Sequence, residues 1–192
     1  MIKEKKVRKK KINAKEKGDR FEREVYNLFK KHWGVTAYKT PGSGAFTSRA
    51  VSRAMKEASA GDVVIEELPE LIFECKNYYS LHFSNWFKPD PTKPPKTPAQ
   101  TLWNFWLKLE KEAIEFKKIP LLICKEDSSP KVAIMFKHHY NVIEEHIGSI
   151  DTRFIMKKKG TCLVALNFSE LLSLDLETVR LIISDIVNGQ KH

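Results

Sequence analysis

Residues 61–76 read GDVVIEELPELIFECK, and this stretch decides the expected fold. Two apolar runs flank a tight turn at its proline, which predicts a pair of strands joined as a hairpin. Alternate side chains of a strand share one face, so Glu74 and Lys76 project together while Cys75 points the other way. The hairpin brings Asp62 beside Glu74. We therefore expect two carboxylates and a lysine to converge at one edge of a sheet.

Metal-assisted phosphodiester hydrolysis is the chemistry that uses such a group. Two carboxylates can hold Mg²⁺ while the ion keeps several waters, and Mn²⁺ can substitute for it. An ammonium group beside them can orient the attacking water or stabilise charge on the phosphate. A Glu-x-Lys pattern alone more often marks an ion pair on an exposed strand face than a catalytic group. The assignment therefore depends on the neighbouring segments.

Hydrophobic periodicity predicts the elements around this hairpin. Apolar residues between Gly18 and His32 recur at helical spacing, and Glu22 lies one position off that stripe, which places it at the edge of the core. A second amphipathic helix is expected over residues 99–117. The expected strands cover residues 35–39, 62–66, 71–78, 120–125, 131–136 and 161–166, and further helices are expected over 137–146 and between 169 and 188.

Two segments upstream of the hairpin complete an ordered set of motifs. They are KGDRFERE at residues 17–24 and TPGSG at residues 40–44, followed by Asp62 and Glu74-x-Lys76. With these motifs the chain resembles the archaeal-type Holliday-junction resolvases, a branch of the PD-(D/E)XK nuclease superfamily. The resemblance spans roughly the first half of the chain, and the joint order of the motifs makes it specific.

The resemblance implies a role for each catalytic position. Gly18 matches the glycine that opens the family's first helix, and Glu22 matches an acidic residue of the metal site. Asp62 and Glu74 match the metal ligands, and Lys76 matches the residue that positions the nucleophile. The implied fold is α/β, a restriction-endonuclease-like core with a central mixed sheet flanked by helices, followed by a C-terminal helical extension.

Candidate DNA contacts surround these positions. The family's Ser/Gly-rich loop matches Ser43, which is either a hydroxyl donor to the phosphate or part of a flexible connector. Gln100 is either a phosphate contact, as in relatives of the wider superfamily, or a residue that satisfies backbone groups at a helix start. An insertion relative to compact family members, residues 45–60, is either a DNA-contacting loop or a lid. The remaining candidates are Arg23, Arg49, Arg53, Lys56 and Tyr78.

The net charge of +10 is concentrated at the N-terminus. Residues 1–20 hold ten Lys and Arg against three Asp and Glu. Such a run repels itself and buries little apolar surface, so we expect residues 1–16 to form a flexible arm. It is either a solubilising tail or a basic arm that neutralises nucleic-acid phosphates, and its position beside a candidate nuclease site favours the second role.

The length of 192 residues suits one nuclease domain after this arm. We expect that domain to cover residues 17–192, with a core over about 17–136 and an extension over 137–192. No apolar run has the length of a membrane span or the character of a signal peptide, which predicts a cytoplasmic protein, in a host's cytoplasm if the source is viral. The three cysteines lie in apolar runs without metal-ligand spacing and are expected to be buried thiols.

The predicted function is a Mg²⁺-dependent DNA endonuclease that makes paired nicks in four-way junctions. Symmetric nicking by one site per subunit predicts a C2 homodimer. A restriction- or repair-type nuclease of the same superfamily, acting on flaps, ends or duplex DNA, is the alternative within enzymes. A non-catalytic DNA-binding protein with this fold is the alternative outside them.

Overall fold

A computed structural model describes residues 13–40, 57, 60–78, 98–126, 129–158 and 160–189. Five helices lie within these residues: α1 (Ala14–Trp33), α2 (Pro98–Phe116), α3 (Lys137–Ile147), α4 (Phe168–Leu172) and α5 (Leu176–Gly189). The strands described there are β1 (Ala37–Lys39), β2 (Val63–Ile65), β3 (Leu71–Tyr78), β4 (Ile119–Glu126), β5 (Val132–Phe136), β6 (Thr152–Lys158) and β7 (Thr161–Asn167). None of the described helices combines the length and apolar character that crossing a bilayer requires.

These strands form one mixed sheet in the order β1-β2-β3-β4-β5-β7-β6. Only β3 and β4 pair in parallel, because α2 connects them as a crossover, and the other described neighbours are antiparallel. The predicted α/β fold with a central mixed sheet and flanking helices is confirmed. The hairpin strand β3 is third in the order, so the predicted position of the carboxylates at a sheet edge is wrong.

Helices cover both faces of this sheet. On one face α1 and α5 pack over Phe73, Cys75 and Ile123. On the other face α2 packs over Ile72 and Leu122 through side chains that include the fully buried Trp106. Since successive residues of β3 alternate between these two cores, Glu74 and Lys76 lie on the α2 side of the strand.

The first helix starts earlier than the resemblance implied. Asn13 caps α1 by accepting a 2.7 Å hydrogen bond from the Glu16 backbone N–H, so the helix begins at Ala14. Gly18 therefore lies inside the helix, and residues 14–16, which the charge run placed in the flexible arm, are helical. The helix ends at Gly34, whose φ of 66° is the left-handed conformation that glycine favours.

The C-terminal third adds strands as well as helices to the domain. Strand β7 pairs with β5, and β6, which periodicity did not predict, pairs with β7. The apolar face of α5 buries Val179, Ile182, Ile183 and Ile186 in the core shared with α1. This part of the chain completes the sheet and contributes to both of its cores. Among the cysteines, Cys75 and Cys124 are buried as expected, whereas Cys162 is only partly buried.

Candidate active site

Asp62 is fixed by backbone contacts from two neighbouring strands. Its N–H donates to the Phe73 carbonyl at 2.6 Å, and its own carbonyl accepts from the Thr40 N–H at 3.1 Å. The side chain is buried, and its Oδ2 accepts a 2.8 Å hydrogen bond from the Cys75 N–H. The carboxylate is therefore held against β3 between Glu74 and Lys76.

Gly61 explains how the chain reaches this position. Its φ is +74°, and a Cβ placed there would lie 2.6 Å from the Phe73 carbonyl oxygen. The backbone before Asp62 passes so close to β3 that only glycine fits without displacement. The glycine that precedes the carboxylate is thus required by the approach of two strands.

A Gly61→Ala variant is expected to lose about 2–4 kcal/mol of unfolding free energy, from positive-φ strain plus the clash with a backbone atom. Gly160→Ala is the matched control, since Gly160 has a φ of +85° with nothing within 4 Å of an added Cβ. Urea unfolding of both variants separates the two contributions. Equal losses in the two variants would show that the close approach to Phe73 carries no cost.

Lys76 joins the two carboxylates. Its Nζ lies 2.5 Å from Glu74 Oε1 and 3.5 Å from Asp62 Oδ2. The Glu74 and Asp62 side chains are 4% and 9% exposed, against 22% for Lys76. The predicted convergence of these three side chains is present in the structure.

Burial and charge set the protonation of this group. Burial raises the pKa of Glu74, and the neighbouring Asp62 charge raises it further. The charges of Lys76 and Lys108 act in the opposite direction but do not cancel this increase. Burial acts to lower the pKa of Lys76, but the charges of Asp62 and Glu74 outweigh it and hold the pKa above its ordinary value. Lys76 is therefore a permanent ammonium group at neutral pH.

Glu22 of α1 lies beside this group. It is buried, and burial raises its pKa, with the Asp62 charge contributing in the same direction. The Lys39 ammonium lies 2.7 Å from Glu22 Oε2 and 2.5 Å from Asp19 Oδ1. Glu22 thus adds a third carboxylate on the α1 side, partly neutralised by Lys39.

Helix α2 forms a wall over the opposite side of the group. The Phe105 ring lies 5.4 Å from Lys76 Nζ and 5.4 Å from the Tyr78 ring. One turn further along, Lys108 Nζ lies 3.6 Å from Glu74 Oε1. The candidate site is therefore enclosed by β3, α1 and α2.

The other predicted contacts are placed less fully. Tyr78 lies at the end of β3 near Phe105, and Arg23 is exposed on α1, next in sequence to Glu22. For Gln100 the structure describes the backbone, in the first turn of α2, but not the side chain. The remaining candidates lie outside the described residues: Ser43, Arg49, Arg53 and Lys56.

Two lysines of the site were missed by sequence reasoning. Lys39 ends β1 directly before the Ser/Gly-rich segment, and this position between two motifs could have indicated that it lies near the site. Lys108 lies on the predicted second helix, eight residues after Gln100 and so on the same helical face, which also could have indicated it. Neither pattern predicts which carboxylate the lysine contacts, because both contacts depend on how the helices pack on the sheet.

The carboxylates fit a hard divalent cation. Among the described residues, no three His, Cys, Asp or Glu side chains are grouped as a metal site by themselves. Mg²⁺ does not need three, since it keeps several waters and uses one or two carboxylates with substrate phosphates. Burial and the neighbouring Asp62 charge both raise the pKa of Glu74, so a negative charge there is unfavourable, and a cation between the two carboxylates would relieve it.

Comparisons with known proteins identify the family. No curated protein and no solved structure matches the chain. A family model described as "Phage putative PDDEXK endonuclease" matches residues 13–180, which include every described residue of the candidate site. Nucleases of the PD-(D/E)XK type generally use divalent metals and, as endonucleases, act on DNA. The match covers most of the sequence, so the chain belongs to this phage PD-(D/E)XK endonuclease family.

Proposed function

We propose that the protein is a Mg²⁺-dependent DNA endonuclease in which Asp62 and Glu74 hold the metal and Lys76 positions the attacking water. The contact of one partly buried ammonium with both carboxylates carries this proposal. A bound Mg²⁺ would polarise the phosphodiester and lower the pKa of a water. Mn²⁺, which also takes oxygen ligands, is expected to substitute.

The protonation of Lys76 defines its part in the reaction. Because its pKa lies above the ordinary value, Lys76 is already protonated at neutral pH in this arrangement and has no free lone pair with which to accept a proton. It can donate hydrogen bonds, either to the water that attacks or to an oxygen of the phosphate. The Asp62 and Glu74 carboxylates fix the direction in which it does so.

Glu22 is proposed as the third acidic residue of this reaction, bound to a second metal or to a metal-bound water. Its burial beside Asp62 supports this role. Lys39 of β1 would then hold the Glu22 carboxylate in place, since its ammonium group pairs with both Glu22 and Asp19 of α1.

For the substrate we propose four-way DNA junctions, cut by a homodimer with one site per subunit. The motif order shared with the Holliday-junction resolvases supports this choice. Two symmetric nicks require two sites related by a two-fold axis, which a C2 dimer supplies. A flap, end or duplex nuclease is the second candidate, and the family description, which names an endonuclease and no substrate, fits both candidates.

Cleavage of three labelled DNAs tests the substrate proposal. A four-way junction, a 5′ flap and a linear duplex of the same sequence are incubated with Mg²⁺, and the nicks are mapped on each strand. Sedimentation of the free protein and of its junction complex gives the subunit count. We expect paired, symmetric nicks in the junction, a rate on the duplex lower by at least about tenfold, and a dimer. Equal cutting of all three DNAs, or a monomer on the junction, would contradict the resolvase proposal and favour the second candidate.

A further inference from the structure

Lys108 reaches the candidate site from the solvent side. Its Nζ lies 3.6 Å from Glu74 Oε1 and 3.7 Å from Glu112 Oε1, one turn further along α2. The side chain is 54% exposed, whereas the Glu74 side chain it approaches is 4% exposed. Lys108 therefore lies between solvent and the buried Glu74 carboxylate, with its ammonium group directed toward that carboxylate.

Glu74 contacts two lysines, Lys76 and Lys108, at different distances. Lys76 contacts Glu74 Oε1 at 2.5 Å and also pairs with Asp62, so its position is fixed from two sides. The distance of 3.6 Å from Lys108 to the same oxygen exceeds that of a normal hydrogen bond. The ordering cost of a long exposed side chain opposes such a contact. Lys108 is thus weakly held and can turn to another anion at low cost.

We propose that Lys108 is a substrate-binding residue whose ammonium contacts a phosphate of the DNA strand being cut. This proposal rests on the proposed function. Asp62 and Glu74 carry two negative charges, which Lys76 and Lys108 balance in the metal-free arrangement. A divalent cation at the carboxylates would repel Lys108 and free its charge for the phosphate that must approach the same site.

The position of Lys108 on α2 indicates that it contacts the phosphate backbone of the DNA. Phe105, one turn before Lys108, packs over Lys76, and the buried Trp106 and Leu109 hold the helix against the sheet. Lys108 therefore remains next to the reacting centre, where the phosphodiester rather than a base edge must lie. An ammonium group acts there as a point charge, so the contact carries no sequence or branch preference.

The test compares Lys108→Gln with Lys111→Gln, a matched loss of one exposed lysine from the same helix. DNA affinity is measured with Ca²⁺ in place of Mg²⁺ for the junction, the flap and the duplex, at several salt concentrations. Lys108→Gln is expected to weaken binding about 3–10-fold, equally for all three DNAs, and to reduce the slope of log affinity against log salt by about one. Lys111→Gln is expected to change affinity by less than about twofold.

Cleavage kinetics and a conservative variant complete this test. KM of Lys108→Gln should rise by the same factor as its dissociation constant while kcat stays within about twofold, as for a group that binds substrate and transition state alike. Lys108→Arg, which keeps the charge, should recover most of the affinity. Wild-type affinity for Lys108→Gln, equal losses in both glutamine variants, or a loss in kcat alone would overturn the proposal. If the wild type neither binds nor cuts DNA, the proposed function is wrong and the role of Lys108 is wrong with it.

Discussion

A Glu74→Gln variant is expected to cut DNA about 10³-fold more slowly than the wild type, because it removes one of the two carboxylates proposed to hold the metal. Glutamine keeps the shape and one oxygen of the side chain, but it cannot supply the negative charge that attracts a divalent cation. The loss should appear in kcat and kcat/KM alike, since the metal acts on the reacting phosphate. Single-turnover cleavage of labelled DNA at saturating Mg²⁺ measures it.

The fold of this variant should survive. Burial and the Asp62 charge make the Glu74 carboxylate unfavourable where it lies, so a neutral amide there removes a repulsion as well as a contact with Lys76. The thermal midpoint is expected to stay within about 5 °C of the wild type, which a circular dichroism melt measures. Glu145→Gln on α3, where the glutamate is exposed, is the control for charge alone. Cleavage by folded Glu74→Gln at the wild-type rate would contradict the assignment of Glu74 to the metal.

A Lys76→Met variant is expected to lose about 3–5 kcal/mol of unfolding free energy in the absence of metal. The substitution leaves Asp62 and Glu74 buried beside each other without the ammonium that contacts both. Cleavage should also fall about 10²-fold or more, since no donor remains to orient the water. Urea unfolding in EDTA measures the first effect, and single-turnover cleavage the second.

The direction of the pH and metal responses identifies the cause of this instability. The Glu74 pKa is already raised in the folded protein, and removing Lys76 would raise it further. The folded variant then binds a proton more readily than the unfolded chain, so its deficit should be largest above the raised pKa and shrink as pH falls through it. Mg²⁺ should reduce the same deficit by supplying the missing positive charge.

Lys131→Met is the matched control for this experiment. Lys131 is 23% exposed, close to the 22% of Lys76, and its Nζ pairs with Glu24 at 2.6 Å, but the Glu24 side chain is 35% exposed. Water can solvate the carboxylate that remains, so the expected loss is at most about 1 kcal/mol. A loss in Lys76→Met as small as that in Lys131→Met would show that the two buried carboxylates do not depend on Lys76.

Local patterns predicted the elements that carry the site, and contacts distant in sequence decided the rest. The bounds of β3 match the strand predicted over residues 71–78, and the two-strand hairpin brings Asp62 to Glu74 through a short turn. Strand β6 was missed because its sequence, TRFIMKK, has one short apolar run between charged residues and pairs only with the later strand β7. The start of α1 was predicted too late because Asn13, which caps the helix, lies in a lysine-rich run that predicted a flexible arm.

The same distinction applies to the side chains of the site. Asp62, Glu74 and Lys76 could be predicted as a group because one hairpin and the alternation of one strand bring them together. The contacts of Lys39 with Glu22 and of Lys108 with Glu74 require α1 and α2 to pack on the sheet at particular positions. Periodicity shows which face of each helix is apolar, but not which lysine then meets which carboxylate.

The most direct test of the central claim is the metal dependence of DNA cleavage by the wild type and by Asp62→Asn, compared at equal concentration with Mg²⁺ and with EDTA. The backbone contacts that hold Asp62 do not involve its side chain, and the remaining amide oxygen of asparagine can still accept from the Cys75 N–H, so the substitution chiefly removes the charge. We predict that the wild type cuts labelled DNA only with Mg²⁺ and that folded Asp62→Asn does not cut at a measurable rate. Cutting by the wild type in EDTA, or by Asp62→Asn at the wild-type rate, would contradict the claim that Asp62 and Glu74 form the metal site of a nuclease.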